Sequence, residues 1–133
     1  MIQNNHTIPE GWREVKIKDI ARVNKNTIDG KYPFNEIEYI DIASVEERRI
    51  LQTQKLQIDE APSRAKRIVD DGDILISTVR PNLKHYCFIE KAPRNLIAST
   101  GFAVVSATNA DAKFLYYLLT TEMFTEYLTK IAD

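Results

Sequence analysis

Two hydrophobic periods divide this chain, and together they leave few architectures open. Over residues 111–132 apolar side chains return every three, four or seven positions, at Phe114, Tyr117, Leu118, Phe124, Leu128 and Ile131. That spacing lines one face of a helix, so an amphipathic helix is expected over 111–132, with Asp111 near its positive N-terminal end. Upstream the apolar residues alternate or run in short β-branched blocks, which is the pattern of strands. Strands followed by a terminal helix imply an α+β fold: a twisted, mainly antiparallel sheet with short helices and a C-terminal amphipathic helix. A length of 133 residues suits one domain, 1–133, with one core.

Individual strands can be placed by period and by turn residues. Residues 13–17 alternate after the turn Pro9-Glu10-Gly11, which puts Trp12, Val15 and Ile17 on the core side. Ile20, Ala21 and Val23 fit a short helical turn. A polar loop over 24–33 follows, tightened at Asp29-Gly30. Residues 36–45 read as a strand, with a second one within 55–58. Pro62 is a helix-start signal, so a short helix is expected from there through Val69. Residues 73–79 read as a buried strand between Gly72 and Pro81, and 86–89 and 96–105 as two more. The last is interrupted at Thr100-Gly101, where a bulge or a close backbone approach is expected.

Composition then excludes several function classes. No apolar run approaches the roughly 20 residues of a membrane span, and the opening residues lack the pattern of a signal peptide, so a cytoplasmic protein is expected. One cysteine, Cys87, and two histidines, His6 and His85, supply neither a disulfide nor a zinc ligand set. The four glycines are scattered, so no phosphate-cradling loop exists. His85 and Cys87 would share one face of a strand, but a cysteine beside Phe88 and Ile89 reads better as a small core hydrophobe. Glu14 and Lys16 are half of a metal-nuclease pattern without the accompanying aspartate, and the Asp70, Asp71, Asp73 cluster reads as turn chemistry. No catalytic residue, metal or cofactor is therefore assigned.

A net charge of −1 conceals a segregated distribution. Residues 61–94 hold seven basic groups against four acidic ones, and residues 35–60 hold three against seven. The basic stretch contains two segments that combine cations with hydrogen-bonding side chains. In the first, Arg64, Lys66 and Arg67 lie on the expected helix, with the two arginines on one face. In the second, a strand carries Ser77 and Thr78 into a proline-stiffened loop bearing Arg80, Asn82 and Lys84, with Tyr86 beyond. Arginine and asparagine match guanine and adenine edges bidentately, while serine, threonine and lysine suit phosphate oxygens. Each has a bland alternative: Arg80 clamping a carboxylate within the fold, and Arg64 and Arg67 forming a solvated helix face.

Taken in order, five motifs resemble one family. They are Ile8-Pro9-Glu10-Gly11-Trp12 with the residues up to Ile20, Tyr39-Ile40-Asp41-Ile42-Ala43-Ser44-Val45, the stretch 61–67, Gly72-Asp73-Ile74-Leu75-Ile76-Ser77-Thr78-Val79-Arg80-Pro81-Asn82, and Ile97-Ala98-Ser99-Thr100-Gly101-Phe102-Ala103-Val104. Together they resemble a target recognition domain from the specificity subunit of type I restriction-modification enzymes. The resemblance covers nearly the whole chain and matches the first recognition domain of such a subunit, without the long spacer helix. It implies a non-catalytic, sequence-specific reader of double-stranded DNA that directs methyltransferase and restriction subunits to a half-site.

The resemblance also implies a division of labour. Because family members read different sequences, the shared-motif residues Arg64, Arg67, Ser77, Thr78, Arg80, Asn82 and Lys84 would hold phosphates or the fold, and bases would be read by residues 24–35 and 46–55. Two competing readings stand beside it: a protein-interaction or antirestriction-like module docking through the C-terminal helix, and a metal-dependent nuclease.

Overall fold

The computed structural model describes residues 16–132. The strand expected over 13–17, with Trp12 and Val15 on its core side, lies almost entirely outside the described residues. The described residues run through α1 (Ile17–Ile20), β1 (Ala21–Val23), β2 (Glu36–Ile40), the hairpin β3 (Val45–Glu46) and β4 (Arg49–Ile50), and β5 (Gln54–Gln57). Next come β6 (Ala65–Ile68), β7 (Ile74–Ser77), β8 (Tyr86–Phe88), β9 (Leu96–Ser99) and β10 (Phe102–Ala107). Two helices close it, α2 (Ala112–Leu119) and α3 (Glu122–Ala132). The fold is α+β, as the two periods imply.

The strands form two four-stranded sheets, in the orders β1-β10-β7-β8 and β5-β2-β9-β6. Pairing is antiparallel throughout the first sheet, whereas the second contains the parallel pair β2–β9. The sheets face one another across a core of Ile40, Leu75, Cys87, Ala98, Phe102 and Val104. The outer face of the first sheet, with Ile74, Ile76 and Val105, is covered by Leu115, Tyr116 and Leu119 of α2. Loop residues Ile28, Tyr32 and Ile58 cover the outer face of the second, over Ile37, Tyr39 and Ile97. Strands β7 and β9 are therefore buried on both faces, which is why their sequences run apolar instead of alternating.

Four expectations need correction. Residues 62–69 do not form a helix: a turn closed by the Ala65 N–H donating to the Pro62 carbonyl leads into β6. Ile68 and Val69 are β-branched and suit an edge that pairs with β9, and this tertiary pairing outweighs the proline signal. Ala21 and Val23 belong to a strand, β1, because β10 offers them a free edge. Ile17 is 41% exposed, at the start of α1 instead of on a core strand. Finally, the terminal helix is two helices. Asp111 caps α2 as expected, accepting from the Phe114 N–H at 2.8 Å. At the far end the Thr120 hydroxyl donates to the Tyr116 carbonyl at 2.8 Å, and the Thr121 hydroxyl accepts from the Phe124 N–H at 3.2 Å, starting α3 afresh.

The interruption at Thr100-Gly101 is the point where the chain leaves one sheet for the other, passing from β9 to β10. A Cβ on Gly101 would overlap the tip of the Ile42 side chain, so the glycine makes room for a core side chain and not for another backbone.

Asp73 is 2% exposed at the entrance to β7, where its carboxylate accepts from the Asp70 N–H at 2.8 Å and from the Ser106 hydroxyl at 2.7 Å. Burial raises its pKa above the ordinary 3.8, a push that these two bonds and Lys25 only partly oppose. The folded chain therefore holds this proton more tightly than the unfolded chain does. Asp73 thus contributes a loss of stability as pH rises from the ordinary carboxylate range through its raised value. Asp73→Asn, which keeps an acceptor and never ionises, is expected to flatten that fall. Urea midpoints compared at acid and neutral pH test it, and an unchanged pH profile would assign the dependence to other groups.

Candidate nucleic-acid interface

Register brings several loops to one end of the molecule. In the second sheet Ile40 pairs with Ala98, Ser99 with Ala65, and Tyr39 with Gln54, so these strand ends lie together. In the first sheet Ser77 pairs with Phe102 and Ile76 with Tyr86. Since only Thr100 and Gly101 separate Ser99 from Phe102, the two sets of ends are adjacent. Connections 41–53, 61–64, 78–85 and 100–101 consequently share this end.

Hydrogen bonds knit these connections together. The Thr100 N–H donates to the Arg64 carbonyl at 2.8 Å, and the Gly101 carbonyl accepts from the Thr78 N–H at 2.9 Å and its hydroxyl at 3.1 Å. Arg64 reaches across to β2, donating from Nε to the Tyr39 hydroxyl at 3.2 Å and from Nη2 to Asp41 Oδ2 at 3.3 Å. Those partners raise the guanidinium pKa above its ordinary value, Tyr39 first, yet the side chain stays 57% exposed. Arg64 is oriented without being hidden.

Beyond β7 the chain makes a 3-10 turn, Pro81–Leu83, flanked by Arg80 at φ 50 and Lys84 at φ 59. Left-handed backbone is costly for residues with a Cβ, more so before proline, and such strain concentrates where function needs a fixed side chain. Arg80 and Asn82 are exposed, and Arg80 has no ion-pair partner among the described residues. Lys84 contacts Glu122 of α3, and that hydrogen bond raises its pKa.

The nine residues singled out by sequence separate into three groups. Arg64, Thr78, Arg80, Asn82 and Lys84 gather at the loop end. Lys66 is exposed on β6, but the bulge there and the absence of a helix mean that Arg64 and Arg67 share no helical face. Arg67 is half-buried, with its Nε enclosed and unpartnered among the described residues. Ser77 and Tyr86 lie inside at 1% and 3% exposure. The Ser77 hydroxyl donates to the Val79 carbonyl at 2.7 Å and accepts from its N–H at 3.2 Å, so it shapes the turn instead of facing solvent. Sequence reasoning missed Tyr39 and Asp41, although both sit in a quoted motif, and it missed Arg48, whose partners are distant in the chain.

Of the two stretches expected to read bases, 46–55 lies at the loop end. Residues 24–35 take another course, running first along the outer edge of β6, where the Ile28 N–H donates to the Lys66 carbonyl and the Ile68 N–H to the Asn26 carbonyl. Cys87 is 1% exposed and burial pushes its thiol up to about 12, which fits a core hydrophobe and not a nucleophile. Among the described residues no three His, Cys, Asp or Glu side chains gather as a metal site, and no helix is long and apolar enough to cross a membrane.

Comparison with known proteins places the fold and the family. The chain is 30% identical over 127 residues to the type I restriction enzyme HindI specificity subunit of Haemophilus influenzae, an alignment that covers 92% of this chain and 27% of that protein. Its fold superposes with TM-score 0.79 on the crystal structure of the HsdS subunit from Thermoanaerobacter tengcongensis, at 28% identity over 95% of this chain and 33% of that one. A chain from a solved type I R-M system, studied for complex assembly and conformational transition, superposes with TM-score 0.82 at 29% identity, over 94% of this chain and 33% of that one. The chain thus spans a third or less of the length of these relatives. Residues 9–131 match the family model described as the type I restriction modification DNA specificity domain, and the chain belongs to that family.

Proposed function

We propose that residues 1–133 form a single DNA recognition domain of a type I restriction-modification specificity subunit, reading duplex sequence without altering it. The observation that carries this is the shared, exposed loop end on which Arg64, Thr78, Arg80 and Asn82 stand together on a rigid two-sheet base. Guanidinium and amide groups in fixed positions suit base edges and phosphates alike. Within a full subunit the domain would direct methyltransferase and restriction partners in the cytoplasm to one half of a target. The competing docking-module reading has in its favour the exposed apolar side chains of α2 and α3, among them Phe114, Tyr117, Met123 and Tyr127, but membership of a DNA specificity family argues against it as the main role.

Fluorescence anisotropy with a labelled duplex pool at low and moderate salt tests the proposal. Binding that weakens steeply with salt, with some sequences enriched from the pool, is the expected outcome. A folded chain that retains no duplex even at low salt would overturn it.

A further inference from the structure

The hairpin β3–β4 lies against β8, the edge strand of the first sheet, at the loop end, and one side chain spans from it to the helices. The Arg48 guanidinium lies 5.4 Å from the ring centre of Tyr86 on β8, and 5.3 and 5.7 Å from those of Tyr116 and Tyr117 on α2. Its Nη2 donates to the Thr120 hydroxyl at the α2–α3 junction, at 3.1 Å. Its backbone N–H donates to the Tyr86 carbonyl at 2.8 Å, and His85 Nδ1 contacts the Val45 carbonyl. Flanking strands β2 and β5 belong to the other sheet, and within the connection Val45 is anchored in the core, so these contacts are what tie the exposed part beyond it, from Glu46 on, to β8 and α2.

Backbone geometry points the same way. Glu47 and Arg48 form the two-residue turn of the hairpin, and Arg48 takes φ 67, a position that such turns ordinarily give to glycine. A residue with a Cβ is kept there in spite of the turn's preference, and its head group fills a cage of three aromatic rings and a hydroxyl. The hairpin tip is exposed at Glu46, Glu47, Arg48 and Arg49 alike, and of these Arg48 is the one whose head group is fixed, by cation–π contacts and one directed hydrogen bond.

We infer that Arg48 is a positioning residue for sequence discrimination: it clamps the 46–53 connection to β8, α2 and the α2–α3 junction, so that this connection meets duplex DNA in one conformation. The inference rests on the DNA-reading function proposed above. It assigns Arg48 itself no phosphate or base: the residue is exposed, but its Nη2 is bonded to Thr120 and its guanidinium lies against three rings, and the salt slope separates the two roles.

The test uses Arg48→Gly, which suits the left-handed turn and removes only the clamp. Amide hydrogen exchange of the full chain is expected to speed up by about tenfold or more at residues 45–51, with β9 unchanged. In selection from a randomised duplex pool, the variant should lose preference at a subset of positions enriched by the parent, while the slope of affinity against salt stays the same. Unchanged exchange overturns the clamp. A slope reduced by about 0.9 overturns it differently, by showing that Arg48 contacts a phosphate. A parent chain that enriches no sequence overturns the DNA reading and the discrimination role with it, while the exchange arm still decides whether the clamp exists. Should Arg48→Gly fail to fold, Tyr117→Leu removes one wall of the cage from the exposed side of α2 and is read against the same outcomes.

Discussion

Phe102→Ala is expected to destabilise the fold by about 3–5 kcal/mol, the range for deleting a fully enclosed aromatic ring. Phe102 is 0% exposed, at the first position of β10 and between the two sheets, against Ile40, Leu75 and Val104. It follows directly on the Thr100-Gly101 crossing, so a void there lies under the point where both sheets and the loop end are joined. A domain of this size holds only about 5–15 kcal/mol in total, so urea or thermal unfolding should show a large shift, with a fraction unfolded even without denaturant. Phe114→Ala is the control: that ring is 64% exposed on α2, and its loss should change stability by less than about 0.5 kcal/mol. A Phe102→Ala midpoint close to the control's would mean that the inter-sheet core is not where stability resides.

How much of this was legible in the sequence depends on whether the deciding contact was local. The blocks Ile74-Leu75-Ile76 and Ile97-Ala98 announce buried strands because burial on both faces leaves its mark within a few residues. Asp111 announces a helix start for the same reason, since a cap acts over three residues. The α2–α3 break was also local, and Thr120-Thr121 before Glu122 is a cap signal that the sustained apolar period concealed. By contrast, residues 62–69 carry a proline at a helix-start position and two arginines three apart, and only the partner strand β9 makes them a strand. That partner is some thirty positions away and supplies no local cue. The candidate site follows the same rule. Arg64 and Arg80 were legible as cations, but their meeting at one end follows from strand register, and the three tyrosines around Arg48 come from β8 and α2. Ser77 takes the fold-holding side of the two roles expected of it, and Tyr86 is enclosed, because residue type shows what a side chain can bond and not whether the fold has already used it.

The arginines at the loop end lead to the largest expected effect on binding. Arg80→Gly removes a guanidinium that has no ion-pair partner among the described residues, and glycine suits the φ of 50 that arginine adopts there. Fold stability should therefore hold or rise slightly, so any loss of affinity belongs to the interface. That loss should be about tenfold for one phosphate or base contact of roughly 1–2 kcal/mol, and a phosphate contact would also lower the salt slope by about 0.9. Arg64→Ala acts differently, because it releases Asp41 as well as removing a cation. An uncompensated carboxylate then stands at the same end, where it repels the duplex backbone, so the loss should exceed that of Arg80→Gly. The two side chains lie on different connections and share no partner, so the effects should add to about a hundredfold or more in the double variant. Anisotropy titrations of both single variants and the double variant across a salt series measure this. Affinity and slope that stay at the parent's values in folded protein would place the DNA surface elsewhere on the domain.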